Sequence, residues 1–179
     1  MPERPPIGRA APRAGHDEIA RLYDRHAAGL YRYALMVLAD HALAEDAVQQ
    51  VFSRLLASPP LGSVGLPDHY LRRAMRNECY TLLLHRAAER APESGPGRHG
   101  DRPLLEVAAG MVDHDERLSL EAALRELPVD QREVVALKVY EGLTFREIAE
   151  LTDAPLNTVA SRYRYAIDKL RAVLEAKVK

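Results

Sequence analysis

The chain has 179 residues, a formal net charge of −1 and a single cysteine, Cys79. This length allows one medium domain or two small ones, and the lone cysteine excludes an internal disulfide and fits a reducing cytoplasm. No run approaches the roughly 18 apolar residues of a membrane-spanning helix and none alternates over strand length, which predicts an all-α protein without membrane insertion.

The chain begins with a polar segment that precedes the first helix. Residues 1–15 carry charges and prolines but no apolar stretch of the kind that secretory signals contain, which predicts a disordered arm. Helical periodicity predicts a first helix over about residues 16–39. Its inner face is expected to contain Ile19, Leu22, Tyr23, Leu30, Tyr31, Ala34, Leu35 and Leu38.

A second helix, predicted over about residues 42–57, has two different faces. Its buried stripe is expected to consist of Ala44, Ala47, Val48, Val51 and Leu55. The outer face and its edge combine acids, an amide and an aromatic ring, namely Glu45, Asp46, Gln49, Phe52, Ser53 and Leu56. An acid–amide patch bordered by an exposed aromatic side chain is typical of a protein-docking surface, and an ordinary solvated face is the alternative.

A third helix follows the Pro- and Gly-rich break at residues 58–65 and is predicted to run from about residue 67 to 90. One face is apolar and includes Cys79, which we expect to be a buried thiol. The other face spans about 140° at 100° per residue and carries Arg72, Arg73, Arg76, Asn77 and Tyr80. Arginine binds phosphate and a tyrosine ring can stack on an unpaired base, so this face suits a nucleic-acid strand. A solvated basic surface is the alternative.

A polar linker separates this block from the rest of the chain. Residues 92–113 are rich in Pro and Gly, which predicts a flexible linker between two small helical domains over residues 16–91 and 114–179. Helix four is predicted over about residues 115–126 and helix five over about residues 131–141. We expect Asp130 to cap helix five and Gly142 to end it.

The most informative segment of the chain is a predicted helix-turn-helix. A helix over residues 144–151 is followed by a turn and a second helix that starts near Pro155. Ala149 would allow close approach of the two helices, and Val159 would lock the second onto the first. Asp153 lies at a turn position that commonly needs a left-handed backbone, which Asp tolerates better than most residues.

The second helix of this motif is predicted to read DNA. Its apolar stripe consists of Leu156, Val159, Tyr163, Ala166, Ile167, Leu170 and Val173. The opposite face offers base-edge donors and acceptors near the helix start and cations farther along, carried by Asn157, Thr158, Ser161, Arg162, Arg164, Tyr165 and Lys169. An ordinary amphipathic helix is the alternative, but the preceding helix and tight turn favour DNA contact.

Three segments in this order carry a family resemblance: AEDAVQQVF, YLRRAMRNECYTLLLHR and LPVDQREVVALKVYEGLTFREIAELTDAPLNTVASRYRYAIDKLR. Together they resemble the small two-domain bacterial sigma factors of the extracytoplasmic-function (ECF) group, over about residues 17–90 and 117–174. Tyr70 differs from the family pattern, because members often carry Trp near this position.

The resemblance implies a subunit that binds the β′ and β subunits of core RNA polymerase and directs it to promoter DNA. Core binding would use Glu45, Asp46, Gln49, Phe52 and Ser53. The promoter −10 element would be opened by the loop at about residues 59–68 together with Arg72, Arg73, Arg76, Asn77 and Tyr80. The −35 element would be read by Asn157, Thr158, Ser161, Arg162, Arg164 and Tyr165. Members are commonly held inactive by an anti-sigma factor, which is therefore a candidate partner.

Two other classes of protein compete with this interpretation. An autonomous helix-turn-helix regulator would use its N-terminal block for dimerisation or ligand binding, but such a block has no need of an Arg-Asn-Tyr face. An enzyme is suggested by two His-Asp-Glu trios at residues 16–18 and 114–116. Both trios begin predicted helices, where acids favour the positive end of the helix dipole, and no metal-binding or phosphate-binding motif is present. We therefore expect no catalytic site, metal or cofactor.

Overall fold

The computed structural model describes residues 13–57, 68–89 and 114–177, and every regular element in these ranges is an α-helix. The seven helices are α1 (Arg13–Leu38), α2 (His41–Ala57), α3 (Asp68–Glu89), α4 (His114–Glu126), α5 (Val129–Val139), α6 (Phe145–Thr152) and α7 (Leu156–Lys177). The all-α prediction is confirmed, and each helix begins and ends within a few residues of its expected position. The arm up to residue 12, the loop at 58–67 and the linker at 90–113 lie outside the described residues.

Helices α1, α2 and α3 pack together as an N-terminal bundle. The predicted stripe of α2 is confirmed, because Ala44, Ala47, Val48, Val51 and Leu55 are all buried.

The turn from α1 to α2 is short. Ala39 adopts a positive φ of 53°, and the Asp40 carboxylate accepts a hydrogen bond from the Leu43 amide at 3.2 Å, which satisfies a free donor at the start of α2.

Two aromatic side chains of this bundle exchange the roles expected from the sequence. Phe52, expected on the exposed edge of α2, is only 5% exposed, whereas Tyr23, expected inside, is 49% exposed. The two rings meet edge to face with centroids 4.9 Å apart. Tyr23 of α1 therefore lies over Phe52 and shields it from solvent, a contact between helices that neither helix's own periodicity reveals.

Helices α4 to α7 form a C-terminal bundle in which α7 packs against the other three. Val159, Ala166 and Leu170 are buried as expected, but Leu156 is 49% exposed. At 100° per residue, Leu156 lies about 60° around the helix from Val159 and so at the edge of the apolar stripe.

The start of α5 also differs from the prediction. Pro128, with φ −51° and ψ 145°, occupies the N-cap position and makes no side-chain cap. Asp130 lies inside the first turn, where its carboxylate accepts a hydrogen bond from the Gln131 amide at 3.0 Å and faces the positive end of the helix dipole. At the other end, α5 stops at Val139 before Gly142, whose φ is +66°.

The two bundles share one continuous hydrophobic core. Six successive residues of α5, 132–137, are buried, because α1 covers one side of this helix and α7 the other. The end of α1 is buried all round for the same reason. The core therefore includes Tyr33, Met36 and Val37. Helical periodicity predicts a single buried face for α1 and leaves these three residues on its outer side.

The turn of the helix-turn-helix has the predicted backbone. Asp153 adopts the left-handed conformation, with φ 52° and ψ 35°. At the start of α6, the Thr144 hydroxyl accepts a hydrogen bond from the Glu147 amide, and the Glu147 carboxylate accepts one from the Thr144 amide. This reciprocal capping box fixes the first helix of the motif, and the left-handed residue fixes the direction in which the second helix leaves it.

We predict that Asp153→Gly leaves the free energy of unfolding unchanged or slightly increases it, because glycine adopts this backbone without strain. The ion pair that is lost, with Arg73, lies on an exposed surface and contributes little. The matched change Asp153→Ala should cost about 1 kcal/mol, since alanine lacks the short polar side chain through which Asp tolerates the left-handed backbone. Urea unfolding measures both, and a loss of more than about 1 kcal/mol for the glycine variant would contradict this turn.

The single thiol is buried as predicted, with no exposed surface on Cys79. Burial first, and then the carboxylates of Glu133 and Glu78, raise the pKa of the Cys79 thiol.

We therefore predict that the Cys79 thiol reacts with Ellman's reagent only as fast as the chain unfolds. Cys79→Ser should lower stability by about 1–3 kcal/mol through a buried hydroxyl, and by more than Cys79→Ala. Rapid labelling of the folded chain would be inconsistent with this burial.

Candidate nucleic-acid and protein interfaces

The predicted DNA-reading face of α7 lies at the protein surface. Asn157, Arg164 and Tyr165 are exposed, and Thr158, Ser161 and Arg162 are half-buried at its edges. The Arg164 guanidinium lies 5.1 Å from the centroid of the Tyr165 ring. An amide, a guanidinium and a phenol on one exposed helix surface provide the donors and acceptors that base edges in a major groove require.

Two members of this set already have partners in the protein. Arg162 Nε lies 2.8 Å from a carboxylate oxygen of Asp130, the residue in the first turn of α5. The Ser161 hydroxyl donates to the Asn157 carbonyl at 2.7 Å, so its oxygen remains an acceptor. Arg162 thus ties α7 to α5, and any contact of its guanidinium with DNA would have to share or replace the Asp130 carboxylate.

The expected docking residues of α2 border a groove between α1 and α2. The groove has a volume of about 610 Å³. Four of the five residues line it, namely Glu45, Gln49, Phe52 and Ser53, together with Tyr23 and Leu56. Asp46 is exposed on the same helix beside the groove. Because Phe52 is buried beneath Tyr23, the apolar part of this surface is supplied mainly by the exposed Tyr23 and Leu56.

The expected −10 face of α3 divides into two parts. Arg73 and Asn77 line an open pocket of about 380 Å³ between α2 and α3, next to Tyr70 and Arg54. Tyr70 and Asn77 are exposed. This pocket therefore combines an aromatic ring, an amide and two guanidinium groups, which are the groups that an unstacked nucleotide uses.

The other part of the face is occupied by the C-terminal bundle. Arg76 Nε and the Tyr80 hydroxyl donate to the two carboxylate oxygens of Glu133 at 2.8 and 2.7 Å. The Tyr33 hydroxyl of α1 donates to the same carboxylate at 2.7 Å. The Arg76 guanidinium also lies 4.5 Å from the centroid of the Tyr80 ring. We call Tyr33, Arg76, Tyr80 and Glu133 the Glu133 cluster.

Protonation in this cluster favours the observed hydrogen bonds. Burial, and next the Glu133 carboxylate, raise the pKa of both Tyr33 and Tyr80, so both phenols remain donors. Burial alone would lower the pKa of Arg76, but the Glu133 carboxylate, Tyr80 and Tyr33 together outweigh it and the pKa is raised. Arg76 therefore stays charged, and the carboxylate is met by one cation and two neutral donors.

The remaining arginines of α3 also reach the C-terminal bundle. Arg72 Nε lies 3.0 Å from Glu141, and Arg73 Nη2 lies 3.0 Å from Asp153 in the turn of the helix-turn-helix. Four of the five expected −10 residues are thus engaged by acids of the C-terminal bundle. Glu133 was not singled out from the sequence, where its only signal is an acid within the apolar run of α5.

The described residues contain neither a candidate metal site nor a membrane-spanning helix. No group of three or more His, Cys, Asp or Glu side chains there could hold a metal ion. No helix within the same ranges is long and apolar enough to cross a membrane.

Both bundles match models of known protein families. Residues 22–89 match the family model of sigma-70 region 2, and residues 117–170 match that of sigma-70 region 4. Two solved structures share the fold at 22% and 20% identity: the sigma factor RpoE with the anti-sigma factor NepR from Bartonella quintana, and CnrH with the cytosolic domain of CnrY. The TM-scores are 0.67 and 0.63, covering 89% and 92% of this chain and 98% and 92% of those chains.

Full-length relatives give the same assignment. The ECF RNA polymerase sigma factor SigL of Mycobacterium tuberculosis is 32% identical over 160 residues, which cover 86% of this chain and 87% of SigL. The ECF RNA polymerase sigma factor SigK of Mycobacterium sp. strain KMS is 31% identical over 172 residues, with coverage of 88% and 83%. With both family models matched in order and such relatives spanning most of its length, the chain belongs to the ECF group of RNA polymerase sigma factors.

Proposed function

We propose that this chain binds core RNA polymerase and directs it to promoters by recognising separate −10 and −35 elements. Residues 16–91 would serve as the region 2 domain, residues 114–179 as the region 4 domain, and residues 92–113 as the linker. The observation that carries the proposal is the exposed polar face of α7, which follows a helix-turn-helix turn with the left-handed residue in place.

The core polymerase would dock on the groove between α1 and α2. The exposed Asp46 and Gln49 would supply polar contacts, and Tyr23 and Leu56 the apolar area. Phe52 would contribute indirectly, because its ring is covered by Tyr23 and packs against that side chain. A polar rim around a small apolar centre is the usual composition of an interface that forms and dissociates. A coiled coil of the β′ subunit, together with the β subunit, is the proposed partner.

The pocket between α2 and α3 would hold a base of the −10 element after the strands separate. Tyr70 offers a ring for stacking, Asn77 an amide for hydrogen bonds, and Arg73 a cation for the phosphate. Arg72, Arg76 and Tyr80 would extend this surface along α3, although carboxylates of the C-terminal bundle hold all three in this structure. Strand opening needs contacts to one unpaired strand, whereas the −35 element would be read as a duplex by α7.

The chain would supply specificity and no chemistry of its own, because RNA synthesis belongs to the polymerase. It would act in the cytoplasm, where that enzyme works. The titles of the two similar structures name the anti-sigma factors NepR and CnrY, which supports an anti-sigma factor as a further proposed partner.

We expect run-off transcription with purified core polymerase and a genomic promoter library to give promoter-specific transcripts only when this chain is added. Asp46→Ala combined with Gln49→Ala should abolish these transcripts and core binding, because both side chains lie exposed at the docking surface. Glu175→Ala removes the same charge from the far end of α7 and should have no effect. Specific duplex binding without core binding would instead indicate an autonomous regulator.

The −35 contact is tested with duplexes that differ at single base pairs. Asn157→Ala should weaken binding to the preferred duplex about 5- to 150-fold, since a bidentate side-chain contact to one base contributes about 1–3 kcal/mol. The loss should be confined to one base-pair position. Arg171→Ala removes an exposed positive charge from the same helix and should weaken all duplexes alike, because attraction to phosphate does not depend on sequence. A uniform loss for Asn157→Ala would show that this side chain does not read bases.

A further inference from the structure

An acid from α5 lies against the predicted DNA-reading helix. The Oδ2 atom of Asp130 is 2.8 Å from Nε of Arg162. Residues 155–171 of the reading segment carry basic side chains and only one acid, Asp168. A carboxylate beside a surface that meets an anionic duplex repels phosphate. Asp130 would therefore weaken DNA binding unless it improves the contact that Arg162 makes.

The start of α5 holds the Asp130 carboxylate in one orientation. Its Oδ1 atom accepts a hydrogen bond from the Gln131 amide at 3.0 Å, in the first turn after Pro128. Its Oδ2 atom is the oxygen that meets Arg162. Because each oxygen has its own partner, rotation of the carboxylate would break one of the two contacts. The first turn of α5 thus fixes the acceptor that the guanidinium faces.

Arg162 lies where a guanidinium can reach a base. The helical rise places it about 8 Å along α7 from Asn157, which lies near the start of the helix. The Arg162 side chain is 30% exposed, and its contact with Asp130 uses Nε. This leaves the terminal N–H groups for another acceptor. In the major groove these groups match the two acceptors of guanine, O6 and N7.

A second acid–cation pair on the same side of α7 provides a comparison. Lys169 Nζ donates to the Glu126 carbonyl at 3.1 Å and lies 3.7 Å from the Glu126 carboxylate. Lys169 is about 10 Å farther along the helix than Arg162. Its ammonium group is a point charge without the planar fork of a guanidinium, so it suits phosphate attraction better than base reading.

Stability alone is a weak explanation for the pair of Asp130 and Arg162. The two side chains are 40% and 30% exposed. An ion pair this accessible to water contributes little to the free energy of unfolding. Its main effect is therefore on where the guanidinium is held, and replacing either residue should leave the chain folded.

We propose that Asp130 is a positioning residue, which holds the Arg162 guanidinium for reading one guanine of the −35 element. This inference rests on the proposed function, because it requires α7 to read duplex DNA. Without the carboxylate, the long arginine side chain would sample many rotamers, and ordering it on a base would reduce affinity. Asp130 thus lowers attraction to duplexes in general and raises the preference for one base pair.

The test measures fluorescence anisotropy of a duplex that the full-length wild-type chain selects from a randomised pool. Asp130→Ala should weaken binding to this duplex about fivefold, the lower end of the effect of a bidentate base contact. Duplexes in which one particular G·C pair is replaced should show no such loss, and should bind equally or more tightly because repulsion is removed. A uniform loss over all duplexes would overturn the proposal.

A double-mutant cycle separates positioning from general charge. Arg162→Ala alone should abolish the preference for that G·C pair. If Asp130 acts through Arg162, adding Asp130→Ala to this variant should weaken binding no further. Additive losses would show that Asp130 acts independently of Arg162, which contradicts a positioning role.

Glu126→Ala is the matched control, because it removes the same charge from the other acid paired with α7. It should leave the base preference unchanged. A change of preference equal to that of Asp130→Ala would mean that general charge is the cause, and the proposal would fail. If the wild-type chain selects no duplex, the proposed −35 reading fails and this inference fails with it. If it selects one and Asp130→Ala keeps the full preference, only this inference fails.

Discussion

A buried carboxylate needs charge and hydrogen-bond donors around it, and Glu133 has them only where two helical bundles meet. Two donors come from α3 and one from α1, while Glu133 itself belongs to α5. The helix that carries it is buried on both sides, because α1 and α7 flank it. Removing any of these donors would leave charge unpaired in the interior, so the way the two bundles meet around their shared core depends on this carboxylate.

The same requirement makes the two proposed DNA-binding surfaces unequal. The face of α7 is built from local structure alone: a capping box starts α6, a left-handed Asp153 ends it, and Val159 anchors the helix that follows. This surface is complete whether or not the bundles touch. The face of α3 instead uses the same guanidinium groups for intramolecular pairing as it would for DNA. The proposed duplex-reading surface and the proposed strand-contacting surface thus differ in how far they depend on the contact between the bundles.

Local patterns in the sequence predicted the helices, the stripe of α2, the buried Cys79 and the turn at Asp153, since each depends on neighbours within a few residues. They did not predict which surfaces of the two blocks face each other. Tyr33, Met36 and Val37 were left outside because a one-sided stripe was assumed for α1. The apolar runs 34–39 and 134–137 were the available signal, because a helix that is apolar all round needs cover on every side. The exposed Tyr23 and buried Phe52 also depend on contact between helices.

The most direct measurement is promoter opening, detected by permanganate oxidation of unpaired thymines on a promoter that the chain selects with core polymerase. The account predicts unpaired thymines at the −10 element only when core polymerase and this chain are both present. Asn77→Ala should reduce the permanganate signal, because this exposed amide lines the pocket between α2 and α3, whereas Glu175→Ala at the end of α7 should leave it unchanged. Opening that does not need the chain, or that Asn77→Ala leaves unchanged, would contradict the account.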